Sequence, residues 1–349
     1  MSAQVTIALD AMGGDRAPEM VVKGAAIARR RFPNAHFLLF GNESRIVPLL
    51  KRRAKLKKRV SIHHTDTVIP DDMKPSMALR QGRGTSMQLA IEAVRSGQAA
   101  GVVSAGNTGA LMALAKISLK MLPGIDRPAM AAIFPTERGE SVMLDLGANL
   151  ECDARNLVQF GVMGAAFSRT VLGVMRPKVG LLNVGTEEPK GHDTIREAAA
   201  GLRSVDLPLD FHGFVEGDDI GAGTVDVIVS DGFSGNIALK SVEGSVKLYT
   251  EFLRHAFRSS LASRLGYFLA RRALRKLRAR VDPRRYNGAM FVGLNGIVVK
   301  SHGGTDAFGF ANAIGVTHDL AVGGFNDLIT KEIASFGAPP LLNARVAAS

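Results

Sequence analysis

The chain has 349 residues, a length that allows one large α/β domain or two smaller ones. Its only cysteine, Cys152, excludes an internal disulfide, and the absence of a run of about 18 apolar residues excludes a membrane-spanning helix. The formal net charge of +12 suits an acidic or anionic partner. Because no basic segment precedes Asp10, we expect no secretory signal and a cytosolic protein.

Eight short apolar runs predict strands, and most are followed by a polar turn and a helix-like segment. They cover residues 5–10, 36–41, 100–106, 130–135, 141–147, 178–185, 225–232 and 296–303. Continuous apolar strands that alternate with helices favour a doubly wound, mostly parallel sheet in a three-layer α/β/α sandwich. Only residues 136–140 join the fourth and fifth runs, which is too short for a helical crossover, so we expect a hairpin and a mixed sheet. We expect residues 1–349 to form a single α/β domain.

Residues 241–285 are predicted to form an amphipathic helical hairpin that projects from this domain. Forty helical residues in one piece would reach far beyond the sheet, and Ser259, Ser260, Ser263 and Gly266 make a bend plausible. An apolar stripe flanked by arginines suits a dimer interface, a membrane surface or a docking partner. The candidate residues for such contacts are Leu261, Leu265, Phe268, Arg271, Arg272 and Arg275.

Basic charge is concentrated in two segments. Residues 29–59 contain eleven Lys and Arg against Glu43, and residues 251–285 contain eleven against Glu251 and Asp282. The rest of the chain is therefore net acidic. These segments are typical of solvated surface helices or of a surface for an acidic partner, and a basic membrane- or nucleic-acid-binding module is the non-catalytic alternative.

Glycine-rich polar turns follow several of the predicted strands. They cover residues 11–14, 104–110, 145–149, 183–191, 230–236 and 303–309. In an open α/β sheet, ligands bind beyond the carboxyl ends of the strands, where helix N-termini offer free N–H groups. Glycine lets the backbone approach an oxyanion, and Asn, Ser and Thr donate hydrogen bonds without adding charge. These turns therefore predict a site for an anion or an acyl carbonyl.

The sequence motifs of the common nucleotide-binding and hydrolase families are absent from the chain. The first strand is not followed by GxGxxG, and neither GxxxxGK[ST] nor GxSxG occurs, which disfavours a dehydrogenase, a Walker-type NTPase and an α/β-hydrolase. His63 and His64 lack a metal-ligand pattern, and the adjacent acidic pairs are typical of loops and helix caps. We expect no metal and no cofactor.

A set of colinear motifs makes the interpretation more specific. They are LDAMGGDRAPE (9–19), SAGNTGALM (104–112), DLGANLECDARNLVQFGVMG (145–164), VGLLNVGTEEPKG (179–191), VEGDDI (215–220), VDVIVSDGFSGNIALKSVEG (225–244) and LNGIVVKSHGGTD (294–306). In this order they resemble the bacterial phosphate acyltransferase family of phospholipid synthesis (PlsX), from Asp10 to about Ala313. Phe214, Thr85 and the segment 286–296 depart from the family pattern.

The resemblance implies a fold related to phosphotransacetylases and isocitrate dehydrogenases. It also implies an enzyme that makes acyl phosphate from an acyl carrier protein thioester and inorganic phosphate. Such an enzyme would be a homodimer in peripheral contact with the inner face of the membrane, without a nucleic-acid partner. Because acyl carrier proteins are acidic, the basic segments are candidates for docking them. A phosphotransacetylase acting on a short acyl-CoA is the alternative enzyme.

In this chemistry phosphate is itself the nucleophile, so the resemblance implies no serine or cysteine nucleophile. Lys190 is expected to attract phosphate, and Asn236, with the N–H groups of the turn, to hold phosphate or the oxyanion. The turn residues in question are Gly232, Ser234 and Gly235. Asn107 and Thr108 are expected in the same cradle, and His302 or His192 as a proton donor.

Overall fold

A computed structural model describes residues 4–204 and 206–336 of the chain, and eleven strands in it form one sheet. The strands are β1 (Thr6–Asp10), β2 (His36–Gly41), β3 (Val60–His64), β4 (Gly101–Ser104), β5 (Ala129–Pro135), β6 (Glu140–Leu144), β7 (Lys178–Leu182), β8 (Asp210–Val215), β9 (Val227–Val229), β10 (Ala289–Val292) and β11 (Ile297–Lys300). Their order across the sheet is β3-β2-β1-β4-β11-β10-β5-β6-β9-β7-β8.

Helices lie on both faces of the sheet, as the alternating pattern predicts. They are α1 (Glu19–Arg31), α2 (Glu43–Lys51), α3 (Ala54–Lys57), α4 (Pro75–Gln81), α5 (Ser86–Arg95), α6 (Thr108–Leu119), α7 (Ala154–Phe167), α8 (Asp193–Arg203), α9 (Asp219–Ala222), α10 (Gly232–Arg258), α11 (Leu261–Arg280), α12 (Ala307–Val322) and α13 (Phe325–Phe336). A π-helical turn, Ser168–Leu172, continues α7. The predicted three-layer α/β architecture is confirmed.

All eight apolar runs contain a strand, and β5 and β6 form the expected antiparallel hairpin. The sequence pattern missed β3, β8 and β10. Two of these, β3 and β8, are the outermost strands of the sheet, and the third has only four residues.

The two halves of the sheet run in opposite directions. In the first half, β1, β2, β3, β4 and β11 are parallel. β10 is antiparallel to both β11 and β5, and β5 is antiparallel to β6. In the second half, β6, β9, β7 and β8 are again parallel. Three reversals therefore place the carboxyl ends of β1, β4 and β11 at one edge of the sheet, here the Asp10 edge. The carboxyl ends of β6, β7, β8 and β9 lie at the opposite edge, here the Asn236 edge.

The buried helix α7 fixes the strands that end at the Asn236 edge. From Asn156 to Phe167 every residue of this helix is buried. Gly164 allows the close approach, because a Cβ atom there would lie 2.6 Å from Val227 and 2.8 Å from Leu144. The turns that follow β6 and β9 therefore start from a rigid base.

The predicted helical hairpin is confirmed as α10 and α11, joined at Ser259 and Ser260. The Ser260 side chain caps α11 by accepting from the Ser263 N–H at 3.0 Å. Only Gly232 and Gly235 are buried in α10, and no residue of α11 is buried. The bend is shorter than predicted, since Ser263 and Gly266 lie inside α11. None of the helices in the described part of the chain combines the length and apolar character that crossing a membrane requires.

Candidate functional site

The turn after β6 is organised by the buried carboxylate of Asp145. This carboxylate accepts N–H groups from Met130 at 2.9 Å, Ala148 at 3.0 Å and Asn149 at 2.7 Å. Burial raises the pKa of Asp145, and the backbone and Asn149 donors oppose that shift. Asp145 thus gives residues 145–149 one fixed conformation, on which the next element is built.

The first turn of α10 docks on this β6 turn. The Gly232 N–H donates to the Asn149 carbonyl at 2.7 Å. A Cβ atom at Gly235 would lie 2.0 Å from the Asp145 carbonyl oxygen, so only glycine fits there. Gly232 and Gly235 therefore serve close packing between the two turns.

The predicted backbone cradle for phosphate needs correction. The Ser234 N–H donates to the Asp231 carboxylate at 2.7 Å, and the Gly235 N–H donates to the Asp231 carbonyl at 3.0 Å. Because the Gly232 amide is also engaged, these three amides are not free to bind an anion. Asp231 caps the helix in the usual way. In the described part of the chain, the Phe233 amide N–H has no acceptor.

Asn236 and Lys190 are both exposed at the Asn236 edge. Asn236 lies over Gly147, where a Cβ atom would be 3.5 Å from the Asn236 Cβ. Lys190 stands on the loop after β7 and packs its stem against Gly185. Neither side chain makes a hydrogen bond or an ion pair within residues 4–204 and 206–336. The structure therefore places the two predicted catalytic residues on turns at one edge, with their polar ends available.

Asn183 holds the loop that carries Lys190, a role that the sequence interpretation missed. Its buried amide nitrogen donates to the Gly185 carbonyl at 3.1 Å and to the Lys190 carbonyl at 3.2 Å. The amide oxygen has no hydrogen-bond partner among the described residues and faces Gly191. Like Asp145, Asn183 directly follows an apolar strand, and a polar residue in that position was the available signal.

Cys152 lies beside this edge but is a poor nucleophile. Its half-buried thiol contacts the Asn149 carbonyl at 3.9 Å. Burial, together with the charge of Asp145, raises the pKa of the Cys152 thiol to about 12. The group therefore stays protonated near neutral pH, and a thiol is far less reactive than a thiolate.

The Asp10 edge holds a second polar cluster, in which the charged groups of Asp10 and Lys300 are both hydrogen-bonded. The buried carboxylate of Asp10 accepts the hydroxyls of Ser86 and Ser104, both at 2.7 Å, and burial raises its pKa. The Lys300 ammonium donates to the carbonyls of Ala105, at 3.4 Å, and Ser301. Burial lowers the pKa of Lys300 to about 8, although nearby carboxylates oppose the shift. Sequence reasoning did not single out either charged residue.

Asn107, Thr108 and His302 also lie at the Asp10 edge, opposite Lys190 and Asn236. Asn107 caps α6 by accepting from the Ala110 N–H at 2.9 Å, and its amide nitrogen donates to two carbonyls of residues 71–73. Thr108 is exposed, and exposed His302 accepts from the Gly304 N–H at 3.1 Å. Within one chain the structure does not bring these three residues into a cradle with Lys190, so their substrate contact stays a prediction. His192, at the start of α8, is exposed at the same edge as Lys190.

The hairpin residues singled out in the sequence lie on the exposed surface of α11. Leu261, Leu265 and Phe268 are among the most exposed apolar side chains, and the Arg271 guanidinium stacks 5.0 Å above the Phe268 ring. Arg272 and Arg275 are exposed as well. This surface combines positive charge with apolar side chains.

The Asn236 edge carries three groups, unpartnered among the described residues, of the kinds that bind anions and carbonyl oxygens. It offers the Lys190 cation, the Asn236 amide and the Phe233 N–H, and its cysteine is protonated. Across the described residues, no three His, Cys, Asp or Glu side chains converge to hold a metal ion. These groups are what an acyl transfer to an anionic nucleophile requires.

Comparison with known proteins decides the family. The profile of a family described as "Fatty acid synthesis protein" matches residues 5–328. The chain belongs to this family. It is 66% identical over 338 residues to a protein of Rhodospirillum centenum named "Phosphate acyltransferase", which covers 97% of this chain and 95% of the relative. A Rhodospirillum rubrum protein of the same name is 60% identical, with 97% of both chains covered.

Members of other families share the fold. A phosphotransacetylase from Streptococcus pyogenes has a TM-score of 0.62 at 20% identity, covering 91% of this chain and 94% of that one. The EutD phosphotransacetylase from Staphylococcus aureus has a TM-score of 0.60 at 18% identity, covering 92% and 95%. The predicted phosphotransacetylase-like fold is confirmed by these structures.

Proposed function

We propose that the protein is a phosphate acyltransferase that transfers the acyl group of an acyl carrier protein thioester to inorganic phosphate. The acyl phosphate would feed phospholipid synthesis. The observation that carries this proposal is that exposed Lys190 and Asn236 follow the neighbouring strands β7 and β9, at an edge where the Cys152 thiol stays protonated. The name shared by relatives that are 60–66% identical supports it.

In the proposed reaction, a phosphate oxygen attacks the thioester carbonyl carbon. Lys190 holds the phosphate dianion and offsets its charge, which brings nucleophile and carbonyl together as one bound unit. The Asn236 amide and the Phe233 N–H donate to the carbonyl oxygen as it becomes an oxyanion. Collapse of the tetrahedral intermediate breaks the C–S bond, leaves the new C–O bond, and releases the carrier thiolate, which His192 can protonate.

We also propose three properties of the surroundings of this reaction. The basic arginines of α11 dock the acidic carrier, because opposite charges steer such encounters. The exposed apolar side chains between them rest on the membrane surface, as in an interfacial amphipathic helix. The protein acts as a homodimer, for which the exposed faces of the hairpin offer apolar area.

The proposal is tested by incubating the purified protein with palmitoyl-acyl carrier protein, with and without phosphate, and trapping acyl phosphate with hydroxylamine. We expect free carrier and acyl hydroxamate, both dependent on phosphate. Cleavage of acetyl-CoA but not of palmitoyl-carrier would instead assign a phosphotransacetylase. Absence of cleavage with both thioesters would leave the non-catalytic binding module.

A further inference from the structure

Exposed large apolar side chains gather on three turns of the Asn236 edge. Leu150 is 69% exposed, Val184 77%, Phe233 60% and Ile237 50%. Single exposed apolar residues are ordinary on a protein surface, but a group on neighbouring turns marks a contact site. We call these four residues the apolar rim.

Two of the three turns that carry the apolar rim also carry the exposed polar groups of the candidate site. Phe233 and Ile237 are four residues apart on α10, so they share a helix face next to Asn236. Leu150 directly follows Asn149, which binds the start of α10, and Val184 directly follows Asn183, which holds the Lys190 loop.

The strands that lead to these turns are neighbours in the order β6-β9-β7. With a strand spacing of about 4.8 Å, the three turns start within roughly 10 Å of one another. The rim and the polar groups therefore lie on three adjacent turns at one edge of the sheet.

The opposite edge also carries exposed apolar side chains, but not on the turns that follow β1, β4 and β11. In the described chain these turns, residues 11–18, 105–107 and 301–306, carry no exposed large apolar side chain. Val68, after β3, is 37% exposed, and Met175, before β7, is 77% exposed. The rim differs from these positions because its members lie on three adjacent turns, two of which also carry Lys190 and Asn236.

We propose that Leu150, Val184, Phe233 and Ile237 bind the acyl chain of the thioester. This inference rests on the proposed function, in which the thioester carbonyl lies at Asn236 and its hydrocarbon chain must leave that point along the surface. Each methylene group removed from water favours binding by about 0.8 kcal/mol, or roughly fourfold. The rim therefore selects long acyl chains, since an acetyl group ends before it reaches these side chains.

The test compares the wild type with the double variant Leu150→Ser, Val184→Ser, using acetyl, octanoyl and palmitoyl thioesters of one carrier protein. In the wild type we expect KM to fall as the chain lengthens. The double variant is expected to show a weaker dependence of KM on chain length. Its KM for the palmitoyl thioester should rise about tenfold relative to its KM for the acetyl thioester, because contact with about two methylene groups is lost. The matched control is Met175→Ser, because Met175 is 77% exposed just before β7, at the other edge.

Binding of an unreactive palmitoyl-pantetheine thioether, measured by calorimetry, separates this inference from the proposed function. Weaker binding to the double variant than to wild type and Met175→Ser supports the apolar rim even if no acyl phosphate is made. Equal binding, or a KM change that is the same for all chain lengths, overturns the inference. So does a double variant whose only change is loss of vesicle binding or of self-association, which would assign these side chains to a membrane or a second copy.

Discussion

At the Asp10 edge, a lysine, two serines and an aspartate are bonded to one another or to backbone, whereas at the Asn236 edge a lysine and an asparagine stand exposed. Lys300 donates to two carbonyls, while Lys190 has no partner in residues 4–204 and 206–336. Both edges carry glycine-rich turns at strand ends. The difference shows that residue types identify a turn as a candidate ligand-binding site. Whether the polar groups of that turn are free to bind a ligand depends on their burial and on the hydrogen bonds they already make.

Replacing the exposed groups gives the largest expected effect. Lys190→Ala should lower kcat/KM for acyl phosphate formation by about 10³-fold, and Asn236→Ala by about 10²-fold, because charge and oxyanion contacts are lost. Thermal unfolding should stay within about 0.5 kcal/mol of wild type, since both side chains are exposed.

Wild-type turnover in either variant would remove that residue from the mechanism. Arg16→Ala is the matched control at the other edge, where an exposed cationic side chain also lies on the turn after a strand. A loss in Arg16→Ala as large as in Lys190→Ala would break the comparison between the edges.

The buried lysine should respond to pH through stability. Because the pKa of Lys300 is lowered to about 8, the unfolded chain keeps this proton between pH 8 and about 10.5 while the folded chain has released it. Burying the charged ammonium of Lys300 therefore lowers the free energy of unfolding below pH 8, and this destabilisation is lost as pH rises from 8 to about 10.5. Relative to Lys300→Met, wild type should gain up to about 3 kcal/mol of unfolding free energy across this window.

Urea unfolding at three pH values measures this difference. Lys190→Met is the matched control, because its ammonium is exposed at the other edge. If the free energies of unfolding of wild type and Lys300→Met changed in parallel with pH, burial of the Lys300 ammonium would not lower its pKa to about 8.

Charge reversal on the hairpin has a smaller expected effect. Changing Arg271, Arg272 and Arg275 to Glu should raise the apparent KM for acyl carrier protein about tenfold at low salt, with KM for phosphate unchanged. The difference should shrink as salt is added. An unchanged KM for carrier together with weaker vesicle binding would assign α11 to the membrane alone.

The smallest expected effect is at Cys152. Its thiol is protonated and half-buried, so Cys152→Ser should leave kcat within about twofold of wild type. Steady-state assays with palmitoyl-carrier check this. A loss of several hundredfold in a folded variant would point to an acyl-cysteine intermediate.

Much of the fold was predictable because apolar runs report buried strands. The missed strands explain the limits of that signal. β3 contains two histidines and β8 contains Asp210 and His212, as outermost strands often do, and β10 has four residues. β10 matters most, because it lies between β11 and β5 and contributes two of the three reversals between the halves of the sheet.

The candidate site was predictable in part. Lys190 and Asn236 lie in polar turns after apolar strands, which the sequence shows. Asn107 and His302 lie at the opposite edge because the two halves of the sheet run in opposite directions. The order and direction of the strands could not be predicted from the sequence. The engagement of the Ser234 amide by Asp231 is likewise a detail of the cap geometry. The supporting roles of Asp145 and Asn183 appear only when their hydrogen bonds are known.

The central claim is that phosphate attacks the thioester directly at the Asn236 edge, with no acyl-enzyme. The most direct measurement is exchange of isotope-labelled free carrier into palmitoyl-carrier in the absence of phosphate. Direct attack predicts no exchange, because nothing accepts the acyl group until phosphate is bound. Exchange at a rate comparable to turnover would reveal an acyl-enzyme and contradict the account.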